Sequence, residues 1–133
     1  MIKVLKEGLF TTIQDIGRFG YKNIGVPVSG SMDQTSAKLA NLLLGNDESS
    51  AVLEMTLVGP TLEFMNDTYI SITGADMNPS LNKQKVLQNK PLFVNKGDIL
   101  YLSHSSNGMR SYLGIKGGFN SEKKLGSKSF YRG

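Results

Sequence analysis

A mainly β domain with a single helix is what this sequence predicts, and three observations carry that expectation. Apolar and polar residues alternate at period two in short runs, Gly, Pro, Asn and Asp separate the runs, and one stretch near residues 31–44 has helical spacing instead. Strands of this length and spacing build a barrel or a sandwich. With 133 residues the chain is the size of one ordinary domain, enough to bury roughly two thirds of the surface its unfolded form exposes.

The elements follow in order. Ile2 to Leu5 is a first strand ended by Glu7-Gly8, and Phe10 to Ile13 a second. From Ala51, the residues Ala51, Leu53, Met55 and Leu57 share one face and Val52, Glu54 and Thr56 the other, so this strand is half-buried until Gly59-Pro60 stops it. Thr61 to Phe64 and Tyr69 to Thr73 follow, the latter closed by Gly74-Ala75-Asp76. Lys85 to Leu87 and Leu92 to Val94 lead to the turn Asn95-Lys96-Gly97-Asp98, after which Ile99 to Leu102 resumes as a strand. Arg110 to Lys116 is the last, broken by Gly117-Gly118.

The helix has its own signals. Ser31 with Gln34 fits a capping box, Asp33 falls in the first turn where the dipole favours negative charge, and Ala37, Ala40, Leu43 and Leu44 make an apolar stripe that ends at Gly45-Asn46. Such a stripe is core, here packed across a barrel opening.

Composition narrows the function classes. Hydrophobic residues are 39% and charged residues 20% of the chain, the balance of a folded domain. The net charge of +4 comes from scattered lysines, without the basic clusters and interleaved aromatics of a nucleic-acid surface. No cysteine means no disulfide, thiolate nucleophile or zinc-thiolate site. No apolar run approaches the roughly 20 residues that cross a bilayer as a helix, and Met1 to Glu7 lacks a signal peptide's apolar region. A cytoplasmic protein that binds neither nucleic acid nor membrane is expected.

Familiar catalytic sets are missing. The lone histidine, His104, sits in the polar run Ser103 to Gly108 and reads as a surface residue, which disfavours a Ser-His hydrolase. The carboxylates show no metal-ligand spacing, so no metal is expected. Gly17-Arg18-Phe19-Gly20 is too short for a phosphate loop, and no Gly-Lys-Ser/Thr follows it.

What remains is a set of charges on constrained backbone. Asp15, Arg18, Asp33, Glu54 and Arg110 are the candidate catalytic residues, each with a plain alternative as a turn ion pair, a helix-end charge or a solvated strand end. Glu54 stands out, because the opposite face of its strand reads as buried and a carboxylate on the polar face can anchor a cationic or amide group. The amides of Ser29, Gly30, Ser31 and Met32 before the helix, and the close backbone approach allowed at Gly117 and Gly118, are the candidate substrate-binding elements, with simple turns as the alternative.

Several of these motifs recur together. Thr11-Thr12-Ile13-Gln14-Asp15-Ile16-Gly17-Arg18-Phe19-Gly20-Tyr21 and Gly25 to Asp33 resemble the opening of the biotin-dependent carboxyltransferase and allophanate hydrolase subunit 2 family, which includes the 5-oxoprolinase C subunits and KipA-like proteins. Leu53 to Phe64, Thr73 to Asp76, Lys96 to Asp98, Arg110 to Leu113, Gly117 to Phe119 and Leu125 to Ser129 extend the resemblance over nearly the whole chain. It implies a cyclophilin-like β-barrel with one capping helix, residues 1–133 being the first subdomain of a longer, two-subdomain protein and inactive alone. The implied function is a component of an ATP-dependent 5-oxoprolinase that opens a small cyclic amide. Its implied partners are the KipI-like B component of 5-oxoprolinase and the A component of the same enzyme, with ATP entering through the complex. The alternatives are a biotin-dependent carboxyltransferase acting on urea or allophanate, and a KipA-like regulatory protein without chemistry of its own.

Overall fold

The computed structural model describes residues 2–14 and 33–119. Its strands are β1 (Ile2–Lys6), β2 (Phe10–Gln14), β3 (Val52–Thr56), β4 (Thr61–Phe64), β5 (Thr68–Gly74), β6 (Ser80–Leu81), β7 (Gln84–Lys85), β8 (Leu92–Val94), β9 (Ile99–Tyr101) and β10 (Arg110–Ile115), and the helix is α1 (Gln34–Leu43). The strands form two five-stranded antiparallel sheets, ordered β1-β4-β9-β6-β7 and β2-β3-β10-β5-β8. Among the described residues neither sheet closes on itself, so the mainly β expectation with one helix holds as two packed open sheets.

The main core lies between the sheets. Leu53 and Met55 from β3, Ile70 and Ile72 from β5 and Leu113 from β10 meet Ile2, Leu62, Phe64 and Leu100 from the first sheet, all of them buried. The period-two reading of β3 therefore holds for Leu53 and Met55. Leu57 departs from it: it falls after the strand, at φ 60° and 41% exposed. The chain turns there, and Leu57 N–H donates to Met109 O instead of continuing the ladder on the core face.

The opposite face of the second sheet is also covered. Ala37 and Ala40 of α1 pack on Val52 and Tyr112 as a separate buried cluster. The helix thus lies on a sheet face and not across a barrel opening, because alternation along β3 and β10 supplies a second set of side chains to bury. Side-chain donors set its registration: Thr73 Oγ1 donates to Ser36 O (2.7 Å), Ser71 Oγ to Ala40 O (2.7 Å) and Lys116 Nζ to Leu44 O (2.8 Å). Four residues of helix rise about 6 Å and two residues of strand about 6.8 Å, so a carbonyl every fourth residue matches a side chain every second. Gly114, opposite Ser71, keeps the seat shallow, since a Cβ there would stand 2.8 Å from Ser71 Oγ and 3.0 Å from Ala40 O.

Two other readings are corrected. Asp33 is the N-cap itself, its carboxylate accepting from Ser36 N–H (3.0 Å) and Ser36 Oγ (2.7 Å), whereas the capping box placed it inside the first turn. Ser31 lies outside the described residues. Of the run Lys85 to Leu87 only Lys85 is strand, as the second residue of Gln84–Lys85, which pairs with Ser80–Leu81 through the two-residue turn Asn82-Lys83. Both turn residues have positive φ (52° and 71°), the backbone of a tight hairpin, but Lys83 stands where glycine would have announced it.

Candidate functional site

Three adjacent strands carry the polar centre of the helix-covered face. Thr12 of β2 and Tyr112 of β10 both stand opposite Glu54 of β3. Tyr112 is fully buried and Glu54 only 6% exposed. The Tyr112 hydroxyl donates to Glu54 Oε2 (2.6 Å) and accepts from the Asp33 backbone N–H (3.0 Å). Arg110, two residues before Tyr112 and so on the same face, brings its Nε to 4.0 Å from Glu54 Oε1. A further Arg110 nitrogen, Nη1, donates to Met109 Sδ at 3.4 Å.

The electrostatics follow from that geometry. Burial pushes the Tyr112 phenol well above its ordinary range, and the hydrogen bond to Glu54 adds to the effect. The phenol therefore stays a proton donor across the physiological range. A buried carboxylate needs hydrogen bonds or a cation, and here the phenol supplies one and the guanidinium, with 28% of its side chain exposed, stands as the other. Arg110 is the more open of the two and Glu54 keeps only a narrow exposed edge, so the pair runs from an accessible positive end to a sheltered negative one.

Of the residues singled out from sequence, Asp33, Glu54 and Arg110 meet here. Asp33 contributes its backbone N–H, while its carboxylate is taken up by the helix cap. Asp15, Arg18, Ser29, Gly30, Ser31 and Met32 lie outside the described residues. Gly117 and Gly118 are not part of the cluster. They form the turn after β10 at positive φ (90° and 78°), with Gly117 N–H on Asn46 Oδ1 beside the C-terminal end of α1. From Tyr112 that is five residues along the strand, roughly 17 Å. His104 is exposed and pairs with Val58 in an isolated bridge, as a surface residue should. No three His, Cys, Asp or Glu side chains among the described residues come together as a metal site.

Sequence reasoning misses Tyr112. Its signal is the spacing Arg110-Ser111-Tyr112, which puts a phenol on the same face as a candidate arginine. Asn41 is missed too. It is fully buried in the helix stripe, and its Nδ2 donates to Glu48 O (3.2 Å) and Ser50 O (2.8 Å), tying the loop between α1 and β3 back onto the helix.

The scaffold is mainly β, with one helix clamped over a polar sheet face and a sheltered carboxylate beside a reachable guanidinium. The chain belongs to the carboxyltransferase domain family, subdomains A and B, whose pattern matches residues 24–133. It is 45% identical over 130 residues to a urea amidolyase of Lachancea kluyveri, a match covering 97% of this chain and 7% of that protein. It is 37% identical over 129 residues to the 5-oxoprolinase C subunit of Escherichia coli, covering 97% of this chain and 42% of that one. Among solved structures, the urea amidolyase of K. lactis superposes with a TM-score of 0.81 at 45% identity over 88% of this chain and 7% of that one. The chain thus spans less than half the length of these relatives.

Proposed function

We propose that this chain supplies an amide-recognition surface to an ATP-dependent 5-oxoprolinase, acting with the KipI-like B component and the A component of that enzyme. The observation that carries this reading is the Arg110 and Glu54 pair at 4.0 Å. A cis amide presents an N–H and a C=O along one edge; a carboxylate accepts from the first and a guanidinium beside it donates to the second. A lactam ring such as 5-oxoproline holds its amide in that arrangement. Asp33, at the start of α1, brings its backbone N–H to the Tyr112 hydroxyl at the same end of the helix-covered face.

Asp15 and Arg18 follow β2 directly, and Ser29 to Met32 lead into Asp33. Both stretches adjoin residues that flank Glu54. We place them in the same site as substrate-orienting charges and as amide donors for an oxyanion or phosphate. Residues 1–133 are then the first of two subdomains, the second completing the site. The carboxylates of Glu54 and Asp33 do not suit the phosphates of ATP, so nucleotide is left to the partner proteins and no step is routed through it.

A second reading has its own support. Identity to urea amidolyase, 45%, exceeds the 37% to the 5-oxoprolinase C subunit. Urea also presents N–H and C=O on one edge, so the same pair would hold it for carboxyl transfer from a biotinylated partner. What puts the oxoprolinase first is that a lactam ring locks its amide cis, so one fixed edge would meet the Arg110 and Glu54 pair.

Reconstitution separates the readings. The full-length protein is mixed with its partner proteins, and ATP-dependent glutamate release from 5-oxoproline is measured. Glu54→Gln is expected to lower turnover by about 100-fold, the scale of losing a charged partner in the transition state. An Arg18→Ala, Asp33→Ala double variant as active as the parent removes those two residues from the site. Turnover of urea only with a biotinylated partner favours carboxyl transfer, and partner binding with turnover of neither substrate favours a KipA-like regulator.

A further inference from the structure

We infer that Tyr112 is the positioning residue of this site, its hydroxyl holding the Glu54 carboxylate in one orientation and tying that orientation to the start of α1. The inference rests on the reading that Glu54 faces the substrate. Three observations carry it. The hydroxyl makes two hydrogen bonds to different elements, 2.6 Å to Glu54 Oε2 on β3 and 3.0 Å from the Asp33 N–H at the helix N-cap. The phenol is fully buried and its ring is packed with Ala37, Ala40 and Val52, so it has little freedom to swing. Its bond occupies Oε2, while Arg110 faces Oε1, so the two carboxylate oxygens have different neighbours.

The consequence is a relay between the helix and the carboxylate. Moving the N-terminus of α1 moves the Asp33 N–H, and the phenol must follow or lose one of its two partners. A shift of the first turn of α1 therefore acts on Glu54 through Tyr112. Arg110 from β10 and Asp33 from the start of α1 are the charged groups near this hydroxyl and carboxylate among the described residues, and β2 presents the uncharged Thr12 opposite Glu54, with Gln14 Nε2 on the Thr12 hydroxyl.

Tyr112→Phe tests it in the full-length protein with its partner proteins. Losing one hydrogen bond to a charged group is expected to lower kcat by about 10- to 100-fold with KM little changed. The acid limb of the pH profile should move to higher pH, since the carboxylate has lost a donor that favours its charged form. A 3-fluorotyrosine placed at 112 keeps the fold and both hydrogen bonds but makes a stronger donor, and it should move the acid limb the opposite way. Carbon-13 titration of the Glu54 carboxyl reads the same shifts without a substrate. If neither substitution moves the Glu54 titration, Tyr112 does not position it. If the titration moves as expected but Glu54→Gln is fully active, the relay stands and the placement of substrate at Glu54 falls.

Discussion

The two faces of the second sheet are built on opposite principles. Toward the first sheet, Leu53, Met55, Ile70, Ile72 and Leu113 bury apolar side chains against apolar side chains. Toward α1, Glu54, Tyr112, Ser71, Thr73 and the bare backbone of Gly114 bury polar atoms, and nearly every one is matched to a named partner. The first face derives its stability from area removed from water, roughly 25 cal/mol per Å². The second contributes less per atom, because each internal hydrogen bond replaces one to water, but it fixes position, since a hydrogen bond tolerates only a few tenths of an ångström. A site that must hold a carboxylate in one orientation belongs on the second kind of face.

Substitutions can break that contrast, and the largest effect belongs to the apolar face. Leu53→Ala should cost about 2–5 kcal/mol, read by urea denaturation, through lost contacts and a cavity that the packed sheets cannot close. Gly114→Ala should cost about 1–3 kcal/mol by displacing Ser71 Oγ and pushing the Ala40 carbonyl of α1 away from the sheet. It should also loosen the Asp33 end of α1, seen as faster amide exchange there than in Leu53→Ala at matched stability. Equal exchange in the two variants would mean that the polar face confers no special rigidity.

Smaller changes sharpen the comparison. Ser71→Ala removes one helix-seating hydrogen bond and Asp33→Ala the N-cap, each worth about 1 kcal/mol in thermal or chemical unfolding. The smallest effect is one of pH. The folded protein holds the Tyr112 proton more tightly than the unfolded chain, whose phenol titrates near 10.0. The stability this contributes is fully present below that pH and is lost progressively as pH rises above it. Replacing Tyr112 with Phe should flatten that alkaline decline, and an unchanged slope would show that the burial of the phenol is not what couples stability to pH.

Much of the fold was legible because period two is a strong local signal. Thr61–Phe64 and Leu92–Val94 fall where alternation and turn residues put them, and Gly97 at φ 94° makes the turn that Asn95-Lys96-Gly97-Asp98 announces. The Ser80–Lys85 hairpin was not legible, because its turn gets positive φ from Asn82 and Lys83, held partly by Asn82 Nδ2 on Asp98 Oδ1 and Asn82 Oδ1 on Ile99 N–H. Those partners lie 16 and 17 positions away. For the site, Glu54, Arg110 and Asp33 were visible as charges on constrained elements, and Tyr112 was not, because an aromatic on a strand reads as core until its hydroxyl finds a partner.

By itself the sequence determined the kind of protein: strands from alternation, one helix from spacing, and the family from motifs ordered along the chain. It also determined that Glu54 would share a face with Val52 and Thr56, since neighbouring residues on a strand must point to opposite sides. Only the tertiary structure decided what covers that face. Helix α1 seats on it through carbonyls matched to Ser71, Thr73 and Lys116, and Tyr112 reaches both Glu54 and the helix start, contacts 58 and 79 positions apart in the chain. Local pattern sets which way a side chain points, whereas the partner it meets depends on how distant segments pack.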